Sequence, residues 1–216
     1  MAMETPFLAI HGRGLLPGLL ALDLLSRDLD QPLLLLSPDQ TICGEHLELV
    51  VADRLSGAAR QLINPFVVAE WQGYYVVRGG QHDLHEEPVL LLDPVQVWLE
   101  LQALLPSAAL VAQCGPVTQS DQRICWTGGS ALLGRLIDLA PLLGAGDTSE
   151  IVGLDAVQSL TLPVLADYDA ACAQWSAHQY LPLGDQRLVI RKLARADNLI
   201  GQHSTFEALL NGLISL

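Results

Sequence analysis

The chain has 216 residues, 50% of them hydrophobic and 16% charged, with 24 acidic against 11 basic side chains and a net charge of -13. So much apolar material excludes a disordered chain. The acidic balance disfavours a phosphate-backbone or anionic-membrane partner. Cys43, Cys114, Cys125 and Cys172 form no Cys-x-x-Cys pair and read as buried thiols rather than metal or redox ligands. Residues Met1 to Pro6 lack the basic start of a secretory leader. The Leu-rich runs are broken by Pro17, Asp23, Arg27 and Asp28, short of the roughly 20 apolar residues of a membrane span. The chain reads as cytoplasmic.

Taken in chain order, Phe7 to His11 is a short apolar run between Pro6 and Gly12 and predicts a buried strand. Leu15 to Ser26 follows with helical spacing, and Leu33 to Leu36 predicts a second buried strand. Strand, glycine turn, helix and strand in this order make a βαβ unit and a parallel sheet. Ser56 is placed to cap a helix that ends at the Asn64-Pro65 pair. Trp71 to Arg78 predicts a strand, Gly79 to Pro88 a polar connection, and Val89 to Leu92 a strand. Asp93-Pro94 opens a helix to about Leu105. Leu110 to Ala112 and Ile124 to Trp126 predict strands, and Leu132 to Leu143 a helix. Gly144 to Asp147 marks a lobe boundary. Strands follow at Val157 to Ala166 and Leu188 to Arg191. Ser204 and Glu207 match a capping box for a helix reaching Leu216. The expected fold is α/β: a Rossmann-like core over residues 1–146 and a smaller β-rich lobe over 147–216.

Gly12-Arg13-Gly14, directly after a strand and before a helix, has the pattern of a phosphate-binding turn. Its first glycine permits the tight turn and its second lets backbone approach a pyrophosphate, while the helix N-terminus offers free N–H groups. Arg13 adds a charge. The full fingerprint also wants a small third residue, where Pro17 and Gly18 fall, and an acid after the second strand. Ser37 stands there, with Asp39 two residues late. The same glycines also suit a βα turn in which they only allow close packing.

Gly12-Arg13-Gly14-Leu15-Leu16-Pro17-Gly18-Leu19 resembles the Gly-x-Gly-Leu-x-x-Gly-Leu start of bacterial lycopene β-cyclases. In the same order, Gly44-Glu45-His46 resembles that family's Gly-x-His, and Trp71-Gln72-Gly73-Tyr74 its Trp-Pro-Gly-Tyr. Pro163 to Asp167, Tyr180 to Leu183 and Arg187 to Ile190 resemble its second-lobe strands. The resemblance covers nearly this whole chain and about the first half of a family member. It implies FAD held through Gly12, Arg13, Gly14, Gly18 and Ser37, and redox-neutral closure of lycopene end groups. It also implies a long apolar carotenoid substrate and loose association with the inner membrane.

The departures fall at polar positions. The family's acidic pair, which carries its proposed catalytic carboxylate, falls on Arg191 and Lys192. Two cations neither donate a proton to an alkene at neutral pH nor stabilise a carbocation. The family's Asp-x-x-Gly flavin contact falls around Trp126 to Gly129, with no acid. The expected function is therefore a lycopene cyclase-like flavoprotein homologue of carotenoid biosynthesis, impaired or non-catalytic as it stands. Two alternatives stand beside it. One is a small oxidoreductase binding NAD(P) or FAD. The other is a non-catalytic module whose Leu209–Leu216 face docks a partner or a second copy. His82-Asp83-Leu84-His85-Glu86-Glu87 has metal-ligating composition, but its flanking glycines and proline favour a solvated turn, so no metal is expected. His11 reads either as a cofactor contact or as a hydrogen-bonded strand end.

Overall fold

The computed structural model describes residues 6–27, 31–44, 47–78, 81–127, 129, 131–139, 148–153, 161–167, 177–183, 187–193, 206–212 and 214. In chain order, the first elements are β1 (Phe7–His11), α1 (Leu15–Ser26), β2 (Leu33–Leu36), β3 (Glu48–Val51) and α2 (Gly57–Ile63). Next come β4 (Val67–Trp71), β5 (Tyr74–Arg78), β6 (Gln81–His85), β7 (Val89–Leu92), α3 (Pro94–Leu104) and β8 (Leu110–Val111). Then follow β9 (Val117–Ser120), β10 (Arg123–Trp126), β11 (Leu132–Asp138), β12 (Thr148–Gly153), β13 (Val164–Asp167), β14 (Ala177–Leu183) and β15 (Arg187–Leu193). Residues 206–212 form a last helix, α4. No helix among the described residues is long and apolar enough to cross a membrane.

The chain divides into two compact units, Met1–Glu45 with Pro94–Gly144, and His46–Asp93 with Ala145–Leu216. The first holds a sheet in the order β8-β2-β1-β11-β10-β9. β8, β2, β1 and β11 run parallel, and β10 and β9 add an antiparallel hairpin. β2 is four leucines, all buried, as expected of a parallel strand covered on both faces. Gln122 and Asp121, at φ 63° and 48°, turn the β9–β10 hairpin as a two-residue loop with both dihedrals positive.

α1 is apolar on all sides, with every residue from Leu15 to Asp23 buried. α3 crosses it at Gly18. A β-carbon there would lie 2.7 Å from Cys43 Sγ, 3.1 Å from Val97 and 3.3 Å from Leu101, so only hydrogen lets the helices meet.

Residues Leu132 to Asp138, expected as helix, form strand β11 instead. They pair in register with β1, Phe7 opposite Gly134 and His11 opposite Asp138. An apolar run of this length has no decisive period, and the partner strand settles it. Gly134 makes the fit possible, because a β-carbon there would collide with the Phe7 carbonyl oxygen.

The second unit holds the sheet β12-β15-β14-β13-β5-β6 and the small sheet β3-β7-β4. A core of Leu49, Val51, Trp71, Tyr74, Val76, Val89, Leu91, Leu165 and Leu181 joins the two sheets. The stretch 46–93, expected in the first lobe, lies here because β5 is the parallel neighbour of β13, Tyr75 opposite Val164. That pairing spans almost ninety residues and leaves no local trace. Gln81–His85, expected as a polar connection, is an edge strand on β5, Tyr74 opposite His85. Its exposed residues carry no apolar alternation, so the ladder rather than burial holds it.

Ser56 caps α2 as expected, its hydroxyl accepting from the Ala59 N–H at 3.1 Å. The capping-box partner Ser204 lies outside the described residues. Glu207 instead reaches across the unit and accepts from the Val51 N–H at 2.6 Å. Asn211, one turn on, accepts from the Ser56 N–H and donates to the Arg54 carbonyl, both at 2.7 Å. Phe206, Leu210 and Ile214 are buried, so one face of this helix is already covered within the chain.

Candidate dinucleotide site

The candidate site lies in the first unit, at the carboxyl ends of β1, β2 and β11, where open parallel sheets bind ligands. Three glycines serve it differently. Gly12 is a packing glycine: its N–H donates to the Leu36 carbonyl at 3.1 Å, and a β-carbon would meet Pro17 Cγ at 2.9 Å and Leu139 Cβ at 3.0 Å. Gly14 is the N-cap of α1, at φ 69° and ψ -156°, with open space within 4 Å of the place a β-carbon would take. Gly18 faces Cys43 and α3, so its α-carbon meets protein.

A fourth glycine, Gly44, sits at φ 82°, and a β-carbon there would come to 3.0 Å from the Gly14 α-carbon. Its place in the Gly-x-His stretch gave no sign that it braces the turn. Its left-handed backbone and contact with Gly14 show that it does.

The start of α1 has no side-chain cap and no acid in its first turn. Such an end leaves backbone N–H groups and the positive end of the helix dipole exposed to an anion. Pro17 removes one donor, so the set is the N–H groups of Gly14, Leu15 and Leu16. Arg13 stands beside them, 3.3 Å from Asp39, with both side chains about a third exposed. An exposed pair of this kind contributes little stability and leaves the guanidinium within reach of a ligand.

Ser37 is 1% exposed. Its hydroxyl donates to the Thr41 carbonyl at 2.9 Å and accepts from the Asp39 N–H at 3.2 Å, so it shapes the loop after β2. The Gln113 N–H donates to the Asp39 carbonyl at 2.8 Å, from a residue held at φ 54°. Asp39, two residues beyond the expected position, is thus the half-buried carboxylate at the end of β2, paired with Arg13.

On the other side of the turn, His11 Nδ1 lies 2.9 Å from Asp138 Oδ1. Asp138 is an acid at the carboxyl end of the strand beside β1. The Asp-x-x-Gly pattern of the resemblance has no acid at Trp126 to Gly129, and Asp138 is followed by Leu139-Ala140-Pro141. Placed as a strand, Leu132–Asp138 ends on an acid level with His11.

The donor set fits a diphosphate: N–H groups at an uncapped helix, an open glycine, a basic side chain on each side, and no carboxylate in the first turn. Burial pushes the Cys43 thiol up to about 12 and raises Cys114, so neither supplies a nucleophile near neutral pH. Cys125 is half-buried, and Cys172 lies outside the described residues.

In the second unit, the strand places His82 and His85 on opposite faces, which removes any helical His-x-x-His geometry. His85 stacks on Tyr74 instead, with ring centroids 4.9 Å apart. Arg191 and Lys192 lie on β15, opposite Ser149 and Thr148 of β12 and Gln179 and His178 of β14. Their side chains lie outside the described residues.

A parallel sheet with a glycine turn, an uncapped first helix and an antiparallel hairpin alongside makes a Rossmann-like α/β fold. No protein-family model and no curated protein matches this sequence. Solved structures do. The chain is similar to p-nitrophenol 4-monooxygenase from Pseudomonas putida, at 14% identity and a TM-score of 0.56, over 98% of this chain and 65% of that one. It is similar to a peptidyl tryptophan dihydroxylase, at 18% identity and 0.51, over 93% and 48%. A geranylgeranyl bacteriochlorophyll reductase-like protein from Thermoplasma acidophilum matches at 13% identity and 0.51, over 98% and 62%. The chain spans about half to two thirds of the length of these structures. At such identities the likeness is one of fold.

Proposed function

We propose that the first unit binds FAD and that the chain is a flavoprotein of the oxidoreductase kind. The observation that carries this reading is the uncapped start of α1 behind the open Gly14. Gly14, Leu15 and Leu16 would hold the diphosphate through their N–H groups, and Arg13 would add charge. Asp39, in place of Ser37, would accept from the ribose hydroxyls. Bound FAD supplies hydride and electron chemistry, which this protein's side chains cannot supply themselves. The likeness to a monooxygenase, a dihydroxylase and a reductase-like protein supports this kind of activity.

The finer reading, a lycopene cyclase-like homologue acting on a long apolar polyene, rests on the order of the Gly-x-Gly-Leu-x-x-Gly-Leu and later motifs. Asp138, at the end of β11 opposite His11, would be the acid available to such a flavin contact.

The visible absorption spectrum of the purified chain, with and without added FAD, tests the first reading. A flavin band near equimolar occupancy supports it. A folded protein that stays colourless with FAD present overturns it. An anaerobic assay with reduced flavin and lycopene, on the chain itself and on Arg191→Glu, tests the second. No ring-closed product from either overturns the cyclase reading and leaves the flavoprotein one standing.

A further inference from the structure

Position 37, where a ribose-binding acid is expected, holds a serine that no ligand reaches, at 1% exposure. Ser37 is nevertheless fully engaged. Its N–H donates to the Val111 carbonyl and its carbonyl accepts from the Cys114 N–H, both at 2.9 Å. Its hydroxyl donates to the Thr41 carbonyl at 2.9 Å and accepts from the Asp39 N–H at 3.2 Å.

These bonds fix the loop that follows β2. At its far end Ile42 and Cys43 are buried, and Cys43 Sγ fills the notch at Gly18. Gly44 then lies against the Gly14 backbone, on another side than the open one. Between these anchors the Asp39 backbone is held twice. The Ser37 hydroxyl takes its N–H, and the Gln113 N–H donates to its carbonyl at 2.8 Å. The side chain it carries stands 3.3 Å from Arg13, the residue between Gly12 and Gly14. The loop therefore delivers a carboxylate to the glycine turn.

A hydroxyl suits position 37 and an acid does not. A hydroxyl donates and accepts at once, whereas an ionised carboxylate only accepts. An acid there would leave the Thr41 carbonyl without its donor. The serine closes the loop, and the closed loop brings the acid in from two residues further on.

We propose that Ser37 is a positioning residue for the adenosine half of the cofactor: its hydroxyl fixes Asp39 so that the Asp39 carboxylate meets the ribose hydroxyls beside the glycine turn. Ser37 touches no part of the ligand and acts through Asp39. The inference rests on the FAD reading above.

The test titrates the full chain with FAD, adenosine diphosphate and 2′,3′-dideoxyadenosine diphosphate, the last a probe without ribose hydroxyls. Wild type, Ser37→Ala, Ser37→Cys, Asp39→Asn and the double variant Ser37→Ala with Asp39→Asn are compared, and thermal melting checks that each is folded. Ser37→Ala is expected to weaken FAD and adenosine diphosphate about tenfold, the scale of one hydrogen bond to a charged group. It should leave the dideoxy probe unchanged. In the Asp39→Asn background it should add less than about twofold, because the two residues act as a unit. Ser37→Cys keeps the shape and a weaker donor, so it should lose less. It also carries the test if Ser37→Ala fails to fold. A role confined to loop stability would give neither the ribose dependence nor the coupling to Asp39.

If the Ser37 variants bind adenosine diphosphate as tightly as wild type while FAD still binds, the inference fails and the flavoprotein reading stands. The same holds if Asp39→Asn leaves adenosine diphosphate affinity unchanged. If the Ser37→Ala loss is as large with the dideoxy probe, or as large without Asp39, Ser37 does not act through Asp39 and the positioning role is overturned. If wild type binds neither FAD nor adenosine diphosphate, the flavoprotein reading falls and the inference falls with it.

Discussion

Gly14 and Gly18 look alike in the sequence and do opposite work. Gly14 sits in the left-handed region with open space around it. Gly14→Ala meets no clash, so its stability cost is that of the backbone alone, about 1–3 kcal/mol at φ 69° and ψ -156°. The added methyl projects into the cradle and strains the N-cap. We expect FAD binding to fall at least tenfold while the melting temperature drops only a few degrees. Gly18→Val does the reverse. Its methyls press on Cys43, Val97 and Leu101 at distances already under 3.4 Å for a bare β-carbon. Overpacking of that kind costs about 1–3 kcal/mol. A denaturant midpoint shifted down, with FAD affinity per folded molecule nearly unchanged, is the expected result. Gly12-x-Gly14 was legible as a turn because glycine is the residue a left-handed N-cap favours. The division of labour was not, since it depends on α3 and on the loop carrying Cys43.

At the scale of elements, α4 is tied down by one buried acid. Glu207 is 1% exposed, with one carboxylate oxygen on the Val51 N–H and the other without a hydrogen-bond partner among the described residues. Burial pushes its pKa up to about 7, opposed by the Val51 N–H and by Arg54. An acid raised on folding binds its proton more tightly in the folded state. Its contribution is full below the ordinary glutamate range and is lost as pH rises through about 7. Glu207→Gln keeps an acceptor for Val51 and cannot ionise. The variant should match wild type near pH 4.5 and exceed it at pH 8 by on the order of 2 kcal/mol, read from urea unfolding at both pH values. Equal stability differences at the two pH values would contradict this. Leu210, fully buried on the same helix, gives a control without pH dependence. Leu210→Ala should cost about 2–5 kcal/mol at any pH. The helix was legible from its spacing. The partner of Glu207 was not, because Val51 lies 156 residues away.

For the whole molecule, the sequence suggested a cut near residue 146, and the structure weaves its units from alternating segments. A fragment of residues 1–146 would keep β3 to β7 and lose β13 and β14. Leu49, Val51, Trp71, Tyr74, Val76, Val89 and Leu91 would then lose Leu165 and Leu181 from their shared core. We expect that fragment to aggregate or to bind a hydrophobic dye strongly, by gel filtration and dye fluorescence. A monodisperse fragment with cooperative unfolding would show that 46–93 belongs with the first unit after all.

Several features were determined by the sequence alone: β1, α1 and β2 to the residue, the Ser56 cap, the glycine turn and the Rossmann-like class. Each is written in neighbours a few residues apart, where rotamer, φ and capping preferences act directly. Tertiary structure decided the rest. It made a strand of Leu132–Asp138 by offering β1 as a partner, and so brought Asp138 to His11. It moved residues 46–93 into the second unit by pairing β5 with β13. It also committed the Ser37 hydroxyl to its own loop and paired the half-buried Asp39 with Arg13. The reason is the same in each case. An apolar run or a lone acid has no preferred partner until the sheet orders its strands, and that order is set by burial summed over segments far apart in the chain.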